Sequence, residues 1–225
     1  MLYFVPTPIG NKEDITVRGK KLLETAVVVL TEDPTITAKL YKVLEIAHKP
    51  RFVALSRNHD FNWSGVEGVL ADLKGKKLES AVVVSDAGTP GISDPGLLVI
   101  QMAQKMSVEY TVLPGATAVI PAVVASGFVA KEFVFLGFLP LKKGRQTALK
   151  KLAILEHPAV IYESNHRITK LIGELKIVLP IDTKLCICRE LSKKFEQIWV
   201  GTIGDLDKYM LVEKGEFVVV VDTQN

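Results

Sequence analysis

The sequence predicts an α/β protein of two domains, the first built on a mostly parallel sheet and the second on a mixed α+β sheet. Three observations carry this. Short β-rich runs alternate with amphipathic stretches through the first half. Runs such as Ala81-Val-Val-Val84 are apolar on both faces, as in a sheet covered by helices on either side. In the second half, two late β runs are separated by too little chain for a helix, which requires an antiparallel pair.

In the first half the expected strands are Leu2–Pro6, Ala26–Thr31, Phe52–Leu55, Ala81–Ser85 and Tyr110–Leu113. Helical spacing of apolar residues marks Ile15–Glu24, Thr37–Leu44, Ser64–Leu73 and Leu97–Met106 between them. In the second half Phe133–Leu139 and Ala159–Tyr162 read as strands, each followed by a helix, Arg145–Leu155 and Arg167–Leu179. Leu185–Arg189, Gln197–Ile203 and Phe217–Asp222 read as the last strands. Pro114 and Gly115 punctuate the join, so the domains are expected at residues 1–116 and 117–225. There is no internal repeat and no coiled-coil heptad.

The 225 residues are 48% hydrophobic and 24% charged, which excludes a disordered tail, a collagen-like repeat and a low-complexity linker. Cys186 and Cys188 sit two apart and share one face of a strand, a poor geometry for a bridge. Neither a disulfide-stapled fold nor a cysteine zinc site is expected, and a reducing compartment follows. The opening apolar run stops at Pro6 with no basic segment before it. The longest apolar stretch, Ala116–Ala130, falls short of the roughly 20 residues a bilayer requires and is broken by Pro121, Ser126 and Gly127. The expected location is the cytoplasm.

The net charge of +3 is unevenly placed. Residues 1–116 hold 13 basic and 13 acidic side chains, so the whole excess lies in the second half. There, Lys142, Lys143, Arg145, Lys150, Lys151, Arg167 and Lys170 face only Glu156 and Glu163 along Leu141–Lys170. This stretch reads either as solvated helix faces or as a patch for a polyanion such as RNA.

Three loops are unusual, and each follows a strand of the first half: Val5-Pro-Thr-Pro-Ile-Gly-Asn11, Ser85-Asp-Ala-Gly-Thr-Pro-Gly-Ile-Ser-Asp-Pro-Gly96 and Leu113-Pro-Gly-Ala-Thr-Ala118. Each alone is a well-made turn; Asp94 with Pro95 reads as a helix N-cap and first helical residue. Together they would converge at the carboxyl edge of a parallel sheet, where α/β proteins bind ligands. Glycine allows close backbone approach and proline holds the loops rigid. Neither a dinucleotide fingerprint nor a phosphate-binding P-loop is present, and Pro6 and Pro8 offer no amide protons to a phosphate. No serine-nucleophile elbow appears, and His48, His59, His157 and His166 lack metal-ligand spacing. The expectation is a rigid cleft for a ligand that is not mainly phosphate, with no metal.

In the second half, Tyr162-Glu-Ser-Asn-His-Arg167, Cys188-Arg-Glu-Leu-Ser-Lys-Lys-Phe-Glu196 and Lys214-Gly-Glu-Phe217 set Glu163, Arg189, Glu190 and Glu216 beside apolar runs. They read as an interior Arg–Glu network, as functional charges, or as both.

Taken in order, Val5-Pro-Thr-Pro-Ile-Gly-Asn11, Ser85-Asp-Ala-Gly-Thr-Pro90, Asp94-Pro-Gly96, Leu113-Pro-Gly115, Gly137-Phe-Leu-Pro140, Tyr162-Glu-Ser164 with His166-Arg167, Arg189-Glu-Leu191 and Lys214-Gly-Glu216 resemble the small-subunit ribosomal RNA methyltransferase I branch of the tetrapyrrole methylase superfamily, across essentially the whole chain. The resemblance implies a tetrapyrrole-methylase-like fold of two α/β domains, S-adenosylmethionine (SAM) held between them, a homodimer, and 2′-O-methylation of a cytidine ribose in the decoding region of 16S rRNA in the small ribosomal subunit. Cofactor contacts are then expected at Pro8, at Asp86, Ala87 and Gly88, at Ile92, Ser93 and Asp94, and at Pro114, Gly115 and Ala116, with Leu139, Glu163 and Arg189 from the second domain. Two departures stand out. Where the family commonly reads Ala-Glu-Asp-Thr-Arg, this chain reads Thr31-Glu-Asp-Pro-Thr35, and it reaches Asn225 soon after its last strand, where relatives often carry a small extension.

A ribose hydroxyl is a weak nucleophile, so a proton acceptor is expected, with Glu163 first and His166 and Glu190 behind it. Lys142, Lys143, Arg145, Lys150, Lys151, Arg167, Lys193 and Lys194 are expected to meet RNA phosphates. The alternatives are a corrin or sirohaem methyltransferase of the same fold, which would need a wide apolar trough, and a non-catalytic RNA-binding relative.

Overall fold

The structure, a computed structural model, describes residues 1–57, 60–128 and 131–223. It divides into two compact units, Met1–Thr117 and Ala118–Asn225, one residue beyond the expected join.

The first unit runs β1 (Leu2–Phe4), α1 (Val17–Thr25), β2 (Val28–Thr31), α2 (Pro34–Val43), β3 (Arg51–Ala54), a short hairpin of β4 (Ser56–Arg57) and β5 (Asp60–Phe61), α3 (Trp63–Lys74), β6 (Ala81–Val84), α4 (Gly96–Lys105) and β7 (Tyr110–Val112). The main sheet has the order β3-β2-β6-β1-β7, every pair parallel. β2 and β6 are buried at every position, which is why their sequences are unbroken apolar runs rather than alternations. On one face Leu2, Phe4, Leu30 and Val83 pack against Val66 and Leu70 of α3 and Val99 of α4. On the other, Val5, Val29, Val82 and Val84 pack with Leu23 of α1 and Tyr41 of α2. Each such side chain contributes about 1.5–3 kcal/mol when fully buried.

The second unit runs α5 (Val119–Ser126), β8 (Val134–Phe138), α6 (Arg145–Leu152), β9 (Ala159–Ser164), α7 (Ile168–Val178), β10 (Lys184–Arg189), β11 (Gln197–Thr202) and β12 (Glu216–Val221). Its sheet has the order β11-β10-β12-β9-β8. Only β8 and β9 pair in parallel; β10 pairs antiparallel with β11 and β12, as does β12 with β9. Ala159, Ile161, Ile187 and Val219 share one face with Leu149 and Leu152 of α6 and with Ile168 and Leu171 of α7.

Two elements escaped the sequence reading. The β4–β5 hairpin is too short to show alternation. α5 is apolar around most of its circumference, so no 3.6-residue stripe marks it, and Pro121 reads as a breaker although it sits in the first turn, where proline is tolerated. Among the described residues no helix is long and apolar enough to cross a membrane.

Candidate active site

In the first unit the chain leaves β1 toward β2 on one side, and leaves β6 toward β7 on the other. The β1/β6 pair is therefore the switch point of the sheet, where connections diverge and a crevice opens at the carboxyl ends. The three Gly- and Pro-rich loops meet there. Thr7 and Gly88 exchange backbone hydrogen bonds, both 3.0 Å, and the Thr7 hydroxyl donates to the Ser85 carbonyl at 3.2 Å. The Ser85 hydroxyl donates in turn to the Ala87 and Gly88 carbonyls. The Thr89 hydroxyl donates to the Ala116 carbonyl at 3.0 Å. Gly88 has φ +82°, open to glycine without strain. A Cβ on Gly115 would come within 2.7 Å of Pro6, so only glycine lets these two loops touch.

Pro8, Asp86, Ala87, Gly88, Pro114, Gly115 and Ala116 thus belong to one stitched rim. Ile92, Ser93 and Asp94 form the turn into α4. Here the sequence reading of Asp94 as N-cap is corrected: α4 starts at Gly96 with Pro95 as its cap residue. The Asp94 carboxylate gathers the amides of Gly91, Ile92 and Gly96, the first residue of α4, at 2.7–3.1 Å, tying the turn to the start of the helix.

The rim also holds two acids that sequence reasoning did not name as site residues, Glu32 and Asp33 at the end of β2. The Asp33 amide donates to Asp86 Oδ1 at 3.2 Å, and the Asp86 amide to Glu32 Oε2 at 3.5 Å. Burial and the neighbouring Asp86 charge push the Glu32 carboxyl up. Burial, with Asp33 and Asp94 nearby, pushes Asp86 up against the lowering effect of the Asp33 amide. Neither Glu32 nor Asp86 has an ion-pair partner among the described residues. The signal that could have found them is position: they too follow a parallel strand. Pro34, the departure from the family pattern, opens α2, with Asp33 as N-cap accepting the Thr35 amide at 2.6 Å.

The second unit closes its charges on themselves. Strand alternation puts Glu163 on the same face of β9 as Ala159 and Ile161, under α6 and α7, with its side chain 0% exposed. A carboxylate there requires cations. Arg167 Nε lies 3.0 Å from Glu163 Oε1 and Arg145 Nη2 lies 3.7 Å from Oε2. Arg145 also forks onto Glu174, its Nε 2.8–3.0 Å and its Nη2 2.6 Å from that carboxylate. The same two arginines donate to consecutive carbonyls: Arg167 to Leu139, Arg145 to Pro140.

Several expectations are corrected here. Glu163 is not placed to accept a proton, being shut from solvent between two guanidiniums. Arg145, its side chain 4% exposed, is not a phosphate contact. Arg167 is mostly committed to Glu163 and Leu139. Arg189 is spent on the carbonyls of Lys214 and Phe195 and on Gln197, which locks the Arg189-Glu-Leu and Lys214-Gly-Glu segments together. Glu190 accepts from Lys193 and from the Glu216 amide, both at 2.9 Å. Burial works to raise its carboxyl, but Lys193 and that amide outweigh it and hold it below the ordinary range, so it too is a poor base. Lys193 is tied to Glu190 and Glu216. Still exposed are Lys142, Lys143, Lys150, Lys151, Lys194 and His166. The Cys186 and Cys188 sulfurs lie 3.6 Å apart, both thiols free and buried. Among the described residues no three His, Cys, Asp or Glu side chains gather as a metal would require; His59 lies outside the described residues.

The switch-point rim on this two-unit scaffold defines a class. The family model described as Tetrapyrrole (Corrin/Porphyrin) Methylases matches residues 1–207, and the chain belongs to that family. Within it, the chain groups with proteins named ribosomal RNA small subunit methyltransferase I. One from Coprothermobacter proteolyticus is 39% identical, covering 98% of this chain and 97% of its own; one from Synechocystis is 38% identical, covering 98% and 78%. Among solved structures the fold is similar to a cobalt precorrin-4 methyltransferase (TM-score 0.69, 20% identity, 100% and 95% of the two chains). It is also similar to uroporphyrin-III C-methyltransferase from Thermus thermophilus complexed with S-adenosylhomocysteine (TM-score 0.65, 17% identity, 99% and 97%).

Proposed function

We propose that this chain is a SAM-dependent methyltransferase of the small ribosomal subunit, transferring a methyl group to the 2′-oxygen of a cytidine ribose in the decoding region of 16S rRNA. The observation that carries the cofactor half is the rim: rigid backbone loops around half-buried carboxylates, Glu32 and Asp86, held above their ordinary range with no ion-pair partner among the described residues. SAM brings a sulfonium and an ammonium, the charges this rim lacks. Bound there, it supplies a methyl group on a good leaving group. The chain's own part is to hold the donor through Pro8, Asp86, Ala87, Gly88, Ile92, Ser93, Asp94, Pro114, Gly115 and Ala116, and to align the acceptor oxygen.

The RNA half rests on the names of the curated relatives and on the exposed lysines of the second unit. With Glu163 and Glu190 committed elsewhere, His166, exposed on the turn between β9 and α7, is the side chain we assign to receive the hydroxyl proton. A small-subunit substrate and two free thiols support a cytoplasmic location. The family resemblance adds a homodimer.

The test is methyl transfer from tritiated SAM to small subunits purified from cells lacking the modification, followed by nucleoside mapping. The expected product is labelled 2′-O-methylcytidine. Label on a base, or none in RNA, overturns the substrate. Calorimetry without measurable heat at high micromolar SAM overturns the cofactor.

A further inference from the structure

One part of the second unit is fixed more firmly than packing requires. β8 ends at Phe138, and the next two carbonyls, Leu139 and Pro140, each accept from a guanidinium. Both arginines are backed by Glu163, and Arg145 by Glu174 as well. β8 and β9 are the parallel pair of this sheet, so this segment lies at the carboxyl ends of neighbouring parallel strands, the edge where such strands meet ligands. What the fixed segment displays is an aromatic ring and two cations. Phe138 is 50% exposed. Its ring is held edge-on by Tyr162, centroids 5.7 Å apart, and Tyr162 is held by Phe135 at 5.0 Å. Leu141, Lys142 and Lys143 follow, all exposed. A braced, solvent-facing ring beside lysines suits an unstacked nucleobase with phosphates on either side.

We propose that Phe138–Lys143 is an acceptor-RNA contact: Phe138 stacks on an unpaired base, Lys142 and Lys143 meet the flanking phosphates, and Glu163 is a positioning residue that fixes the segment through Arg145 and Arg167. This rests on the RNA reading above. The acidic–basic network is thereby a brace for substrate rather than a source of protons.

The experiment is steady-state transfer from tritiated SAM to unmodified small subunits by the full chain. Phe138→Ala raises KM for subunits about ten-fold, the loss of one stacked base, with kcat held within about two-fold. Phe138→Trp restores KM and Phe138→Leu does not. The Lys142→Ala/Lys143→Ala pair flattens the salt dependence of subunit binding by about two units of log–log slope. Glu163→Gln raises KM for subunits and leaves both the pH profile of kcat and SAM affinity by calorimetry as in the parent. An unchanged KM in Phe138→Ala, or full rescue by leucine, overturns the stacking role. A Phe138→Ala chain that sediments as a smaller species assigns the ring to a contact between copies, and also overturns it. A fall of about a thousand-fold in kcat for Glu163→Gln with KM unchanged makes that residue the base and overturns its positioning role. If Glu163→Gln does not fold, the Phe138 series decides alone. Parent enzyme that labels no RNA overturns the RNA reading and this inference together, whereas labelled RNA with an indifferent Phe138 overturns only the inference.

Discussion

The carboxyl-end rim of the first unit and the charged network of the second handle ionic groups in opposite ways. The rim spends backbone hydrogen bonds on its loops and leaves Glu32 and Asp86 half-buried without a paired cation among the described residues. The network buries Glu163 and half-buries Glu174 against two arginines, so each acid has a guanidinium within ion-pair distance. On the proposed reading, a site that receives a cation has to tolerate unbalanced acid before it arrives. A brace has to be balanced from the start. The two regions are thus distinguished by charge closure rather than by depth.

The largest effect that would sharpen this contrast is on the brace. Arg145→Ala takes the cation from Glu174 and one of the two cations from buried Glu163, and should cost about 3–5 kcal/mol in chemical denaturation. Replacing Glu174 by glutamine in the same chain should recover much of that loss, because the remaining Glu163 still has Arg167. An Arg145→Ala protein as stable as the parent would break the comparison. Next comes the rim. Asp86→Asn removes a half-buried charged acceptor and should weaken SAM binding by roughly ten- to a hundred-fold in calorimetry, without loss of stability. Gly115→Ala drives a methyl group into Pro6 and should cost about 1–3 kcal/mol, read as a lower Tm together with weaker SAM binding. On the surface, Lys150→Ala with Lys151→Ala should reduce the salt slope of RNA binding by up to about two units while Tm stays put.

The smallest effect has a defined sign. Burial raises Glu32, so in the folded apoprotein its ionisation is disfavoured. The stability associated with its neutral form is complete below the unfolded carboxyl pKa and is lost as pH rises through the folded one. Glu32→Gln should therefore raise the apoprotein Tm near pH 7 slightly, and the gain should vanish in acid. With saturating SAM the order reverses and the parent is the more stable.

Much of the scaffold was legible because buried parallel strands leave unbroken apolar runs, as β2 and β6 do. The rim loops were legible because Gly and Pro sit together only where backbone geometry demands it. The brace was legible only in part: an interior Arg–Glu network was expected at Glu163, but not the part of Arg145, which meets Glu174 across 29 residues of chain, a range at which pairing leaves no local mark. Arg145 and Lys150 look alike in sequence, yet one lies inside and the other in water. Glu32 was passed over because two acids before a proline look like an ordinary helix start, which Asp33 indeed is.

The reciprocal pair between Thr7 and Gly88 is made wholly by main-chain atoms, so beyond the glycine that the φ of residue 88 favours it makes little demand on the side chains that flank it. A donor pocket assembled this way can persist while residues around it drift, leaving acceptor preference free to diversify. That is consistent with one architecture being shared by proteins named for macrocycles and by proteins named for ribosomal RNA at 17–20% identity to the former and 38–39% to the latter.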